Sequence, residues 1–108
     1  MSELDGYRKE IDEIDAALIR LFEQRMDVVR KVGRYKKENH LPVLQAGREQ
    51  AVLRQAVEHL QDKGYAQDAA RFMNAAMEIS RAAQRRDIEP GESPVTAAHP
   101  LTGAVGFQ

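Results

Sequence analysis

Residues 8–37, RKEIDEIDAALIRLFEQRMDVVRKVGRYKK, form one unbroken helical pattern, and a helix of that length limits what the chain can fold into more than any other feature. Apolar side chains recur at Ile11, Ile14, Leu18, Leu21, Phe22, Val29 and Val32, the three-and-four spacing of an amphipathic helix. No proline interrupts the run, and Gly33 is a tolerated cost of about 1 kcal/mol. Extended to Glu38, such a helix is about 50 Å long at about 1.5 Å per residue. A compact domain of about 100 residues has a radius of gyration of only about 13 Å. The helix therefore projects beyond any core its own chain can build, and is expected to pack along a second copy of itself.

The apolar stripe carries cations. At about 100° per residue, Arg25 and Lys36 fall in its middle, beside Leu18 and Val29, and Arg8 lies near its edge. A buried unpaired cation costs several kcal/mol or more, so these side chains need anionic partners. Glu10, Asp12, Glu13, Glu23 and Asp27 lie mostly on other faces. The missing negative charge must come from another helix, another chain or a bound ligand.

A chain of 108 residues is one small domain at most. Its net charge of −1 gives no reason to expect nucleic acid or an anionic membrane as a partner. RKVGRYKK is rich in bases, but as a helix it points Arg30, Arg34 and Lys37 away from Lys36, which reads as a solvated face. With no cysteine there is no disulfide framework and no thiol chemistry. His40, His59 and His99 are too scattered to suggest a metal site. MSELDGYRKE has no apolar run of a secretory signal, and no stretch approaches the roughly 20 apolar residues of a membrane span. The expectation is a cytoplasmic protein.

Along the chain, Ser2 with Asp5 three residues later is a weak helix-start signal, with Met1–Tyr7 as a lead-in. Asn39–Gly47 breaks the first helix, because Pro42 disfavours helix at Leu41 and Gly47 permits a tight backbone. A second helix is predicted over about Arg48–Asp62, ended by Lys63-Gly64 as a C-terminal glycine cap. A third covers about Ala66–Arg86, with Ala69, Phe72, Met73, Ala76, Met77, Ser80, Ala83 and Gln84 on one side. Residues 1–86 thus read as an all-α domain of three helices per chain, the first very long. Asp87–Gln108 holds three of the four prolines and no lysine or arginine, and Asp87–Gly103 reads as a linker. Gly103–Gln108, GAVGFQ, looks like the opening of a strand whose domain is absent.

Polar residues on the three stripes are the candidates for a site. Arg25 and Lys36 are three turns, about 16 Å, apart on one face. Arg48-Glu49 precedes Val52 and Leu53, and Ser80 and Gln84 are one turn apart in line with Met73 and Met77. Together they make a cationic wall with hydroxyl and amide donors and one carboxylate acceptor, suited to a small dicarboxylate carrying a hydroxyl. Arg8 lies 17 residues, about 25 Å, before Arg25, so both cannot touch one small ligand from one chain. In an antiparallel dimer Arg8 reaches the partner's pocket. Each residue also has an ordinary structural role available. Arg25 can pair with Glu49 or another acid, and Lys36 can snorkel to water. Ser80 and Gln84 can be plain helix–helix contacts, Arg8 a surface arginine, and Arg48-Glu49 helix-end charge chemistry.

The segments LDGYRKEIDEIDAALIRLFEQR, VGRYKK, PV-x4-REQ-x-VL and ISRAAQ, in this order and spacing, resemble the all-helical chorismate mutases over about Leu4–Gln84. The resemblance implies an intertwined homodimer with two equivalent sites. It implies the cofactor-free, metal-free rearrangement of chorismate to prephenate, early in phenylalanine and tyrosine synthesis. By motif, Arg8 from the partner chain and Arg25 from the home chain bind the two carboxylates, with Ser80 assisting. Lys36 and Gln84 donate to the ether oxygen of the breaking bond. Glu49 accepts from the ring hydroxyl, and Arg48 orients that end. Gln45, where the family often has aspartate, is carried as a weak contact. Lys36, Gln84 and Arg25 are the residues expected to act on the reaction itself. GAVGFQ resembles the first strand of a prephenate dehydratase domain, which suggests a fused or associated dehydratase. Two alternatives stand beside this reading: an isochorismate-pyruvate lyase of the same fold, and a non-catalytic helical dimerisation or regulatory module.

Overall fold

The computed structural model describes residues 2–88, which run α1 (Glu3–Glu38), α2 (Ala46–His59), a single 3-10 turn (Lys63–Tyr65) and α3 (Ala66–Ile88), with no strand among them. The molecule is 55 Å in its longest dimension, the length of α1 itself. α3 packs along α1, and α2 packs against α3. The expected three-helix, all-α architecture is present.

The ends of α1 are set by local chemistry. The Ser2 hydroxyl accepts from the Asp5 N–H at 3.2 Å, and the Asp5 carboxylate accepts from the Ser2 N–H at 3.4 Å. This reciprocal capping box satisfies two donors that a helix start leaves unpaired. It draws Glu3–Tyr7 into the helix, where the sequence suggested a lead-in. At the other end, the Leu41 N–H reaches the Lys36 carbonyl at 2.8 Å and the His40 N–H reaches that of Lys37 at 3.3 Å. This is the Schellman pattern, which needs a left-handed residue just past the cap. His40, at φ 56°, takes that position. Gly47, expected to supply the tight backbone, lies inside α2 instead, and no glycine among the described residues has a positive φ.

α2 differs from the predicted Arg48–Asp62. It starts two residues earlier and stops at His59, because Leu60 turns to an extended conformation (φ −71°, ψ 135°). Gly64 is not its cap. The Lys63 ammonium does that work, donating to the carbonyls of Val57 (2.7 Å), Glu58 (3.2 Å) and Leu60 (2.8 Å). A cation at a helix C-terminus meets both unpaired carbonyls and the negative end of the helix dipole. Gly64 instead gives its N–H to the Asp62 side chain at 2.8 Å, opening the 3-10 turn. α3 continues past Arg86, so Asp87 belongs to the helix and is tied to α1 by Arg30 at 3.1 Å. The readings of residues 89–103 as linker and Gly103–Gln108 as an opening strand lie outside the described residues.

The interior of one chain is small. Among the described residues Val29, Met77 and Ala83 are the buried hydrophobic ones, and Gly33, Ser80 and Gln84 are buried with them. At Gly33 α1 comes close to α3: a Cβ there would stand 3.2 Å from Gln84 Cγ and 3.4 Å from Gln84 Cα. The glycine therefore sets the depth at which Gln84 sits. Gly33→Ala gains about 1 kcal/mol of helix propensity but overpacks the contact by about 1–3 kcal/mol. The expected result is a small fall in melting temperature and a drop of about tenfold in any activity that depends on Gln84. An unaltered rate in a stably folded Gly33→Ala variant would show that this spacing does not matter.

Much of the remaining apolar stripe is left uncovered by the described residues. Ile11, Ile14, Leu18, Leu21 and Phe22 are between 40% and 59% exposed. Fully covering such side chains is worth about 1.5–3 kcal/mol each.

Candidate functional site

Where the C-terminal half of α1, the start of α2 and the end of α3 converge, they line an open-sided cavity of about 260 Å³. Val28, Val29 and Val32 of α1 line it together with Val43, Val52 and Met77. Into this apolar shell project Arg25, Lys36, Gln45, Arg48, Glu49, Ser80, Arg81 and Gln84. Seven of the eight residues expected from the sequence are thus brought to one place. Arg8 is not: it is exposed on the far N-terminal part of α1 and does not line the cavity of its own chain.

Neither cation that α1 contributes, Arg25 or Lys36, is tied to a carboxylate among the described residues. Arg25 donates from Nη1 to the Ser80 hydroxyl at 2.5 Å, and that hydroxyl donates to the Ala76 carbonyl one turn back at 2.8 Å. The Ser80 proton is committed to the backbone, so its lone pair is left to fix the Arg25 fork. The pairing of Arg25 with Glu49 allowed by the sequence is not formed. Lys36 turns inward rather than to water, donating to the Val43 carbonyl at 2.7 Å and to Gln84 Oε1 at 2.8 Å. An ammonium has three donors, so one remains. The same contact fixes the Gln84 amide: its oxygen faces Lys36, because the reverse orientation would set donor against donor. Its NH₂ group is then free to donate elsewhere. Burial pushes the Lys36 ammonium below its usual 10.5, against the pull of the Glu49 carboxylate, which favours the charged form.

At the other wall, Arg81 Nη1 lies 2.6 Å from both oxygens of Glu49. Arg81 was missed by the sequence reading. A signal was there: it stands four residues after Met77 and three before Gln84, on the same helical face, a cation on an apolar stripe just as Arg25 is. Gln45 sits at the mouth, its amide donating to the Pro42 carbonyl at 3.1 Å, and Arg48 lines the cavity beside it.

Four cations, Arg25, Lys36, Arg48 and Arg81, therefore face one carboxylate, Glu49. The surplus suits a ligand with two negative charges and a shape that fits an apolar shell. A wider hollow of about 700 Å³ elsewhere between α1 and α3 lacks that surplus, since Arg20, Arg30 and Arg86 are balanced there by Glu23, Asp27 and Asp87. Among the described residues no three His, Cys, Asp or Glu side chains cluster as metal ligands, and no helix is long and apolar enough to cross a membrane.

The T-protein of Haemophilus influenzae is 42% identical to the chain over 53 residues, which cover 49% of this chain and 14% of that protein. The match therefore spans about a seventh of the length of that relative. No solved structure matches. The family described as chorismate mutase type II matches residues 7–85, a span that takes in all of α2, most of α1 and α3 and every polar residue of the cavity, and the chain belongs to that family.

Proposed function

We propose that this chain catalyses the rearrangement of chorismate to prephenate, and that it does so as a dimer. The observation that carries the reading is the cavity of a family member in which Arg25, Lys36 and Gln84 keep donor capacity without a carboxylate to quench it. The rearrangement is unimolecular. It needs a flexible enolpyruvyl arm folded over the ring, and then stabilisation of the negative charge that builds on the ether oxygen as the C–O bond breaks. Arg25, anchored by Ser80, holds one carboxylate as a fork, and the fixed geometry removes entropy from the barrier. The third N–H of Lys36 and the amide of Gln84 converge from adjacent positions and are the donors for the ether oxygen. They strengthen as charge develops, which lowers the barrier rather than merely tightening binding. Glu49 accepts from the ring hydroxyl, Arg48 orients that end, and Gln45 contributes a weak contact at the mouth.

Arg8 is assigned to the second carboxylate of the partner chain's ligand. It is too far along α1 to serve its own cavity, and the uncovered side chains Ile11, Ile14 and Leu18 lie on the same stretch of helix. A second copy laid antiparallel along α1 covers that stripe and delivers Arg8 in one arrangement. Sedimentation at micromolar concentration is expected to give twice the chain mass of 12.2 kDa.

The test is product analysis with chorismate and with isochorismate. Prephenate from chorismate is expected. Pyruvate release from isochorismate without prephenate formation would assign the cavity to lyase chemistry, and turnover of neither substrate would leave a non-catalytic helical module. A second expectation concerns pH. Lys36 must be charged to donate, and burial makes it lose its proton more easily. The alkaline limb of kcat/KM, which reports the free enzyme, should therefore fall below 10.5. Removing the Glu49 charge with Glu49→Gln removes the opposing influence, so the limb should move lower still. A limb at the ordinary lysine value, or one that rises in the variant, would contradict this role.

A further inference from the structure

We propose that Arg81 is a positioning residue that acts through Glu49, a role that rests on the reading of the cavity as a chorismate site. Glu49 is the single acid in a ring of four cations. Left alone it would turn to the nearest cation, and Lys36 is within its electrostatic reach. Arg81 prevents that choice. One guanidinium nitrogen bridges both carboxylate oxygens at 2.6 Å, from a helix that is itself packed on α2. The two side chains are 23% and 24% exposed, so the pair is partly shielded from water and its geometry is held by both helices.

A carboxylate offers about four lone-pair sites and Arg81 occupies two, one on each oxygen. Each oxygen keeps one free lone-pair site, and because Glu49 lines the cavity it offers an acceptor there with its charge already partly neutralised. Such an acceptor distinguishes a ligand that carries a hydroxyl opposite it from one that does not. A ring lacking that hydroxyl would leave a desolvated acceptor unpaired, and this kind of mismatch is more costly than losing a contact. Arg81 thereby becomes a specificity determinant without touching the substrate, and Lys36 is left free for the ether oxygen.

The experiment is a cycle of Arg81→Met, Glu49→Gln and the double variant, assayed for kcat/KM with chorismate and with an analogue lacking the ring hydroxyl. Arg81→Met is expected to lose about tenfold to a hundredfold with chorismate, the worth of one buried hydrogen bond to a charged group. The double variant is expected to be no worse than Glu49→Gln alone, because the two residues act as one unit. With the hydroxyl-free analogue the Arg81→Met loss should nearly vanish. Arg81→Lys, which keeps the charge on a shorter side chain without the planar guanidinium, should recover part of the loss, and it serves where Arg81→Met does not fold. Losses that multiply in the double variant would overturn the role, as would equal losses with both substrates. A wild-type chain that turns over no chorismate overturns the functional reading instead, so the two failures are told apart.

Discussion

Replacing Lys36 by methionine is expected to lower kcat by about a thousandfold, the upper end of the cost of removing one charge-stabilising donor. The upper end applies because two donors are lost together. Lys36 supplies its own third N–H, and it also holds the Gln84 amide with the oxygen turned away from the ligand. Without the ammonium, that amide is free to rotate and present its oxygen to the developing negative charge. The same substitution should not unfold the protein. Methionine has nearly the same length and fills the shell of Val32 and Val43, and it removes a desolvated charge whose burial is unfavourable in the absence of ligand. The melting temperature should hold or rise while the rate collapses. A variant that keeps kcat within tenfold of wild type would remove Lys36 from the chemistry.

Mixing two inactive chains is expected to restore activity. Arg8→Ala lacks the residue proposed to cross the dimer, and Lys36→Ala lacks the donor at home. Each homodimer then has two defective sites. After subunit exchange, a heterodimer has one site with both residues intact and one with neither. Random reassortment makes about half of the dimers heterodimeric, so about a quarter of wild-type activity should return. The increase over either parent is large, because each parent starts near zero. No recovery after exchange has been verified by mass would mean that Arg8 serves its own chain or no site at all.

The fold was legible to the extent that its elements are periodic. The stripe from Ile11 to Val32 specified α1, and Ala69 to Gln84 specified α3, since a helix face is written in the chain at intervals of three and four. The ends were less so. His40 in the left-handed position and Lys63 over the last carbonyls of α2 are not the glycines that such positions usually favour, and both were assigned to Gly47 and Gly64 instead. In the site, Arg25, Lys36, Ser80 and Gln84 stood out because each breaks an apolar face. Arg81 does so too, but its meaning depends on Glu49, 32 residues away on another helix. No interval in the sequence reports that pairing. Gly33 was legible as a weak point in a helix, yet its reason, the 3.2 Å approach of Gln84, exists only once α1 and α3 are packed.

All of these expectations rest on the surplus of cations in the cavity being there to receive a dianion and rearrange it. The direct measurement is the disappearance of chorismate absorbance on adding the purified chain, with the product identified as prephenate and Lys36→Met run beside it. Saturable loss of substrate with wild type, and a thousandfold slower loss with an equally folded variant, is the expected result. A folded wild-type chain that leaves chorismate unchanged beyond its spontaneous rate, or a variant as fast as wild type, would contradict it.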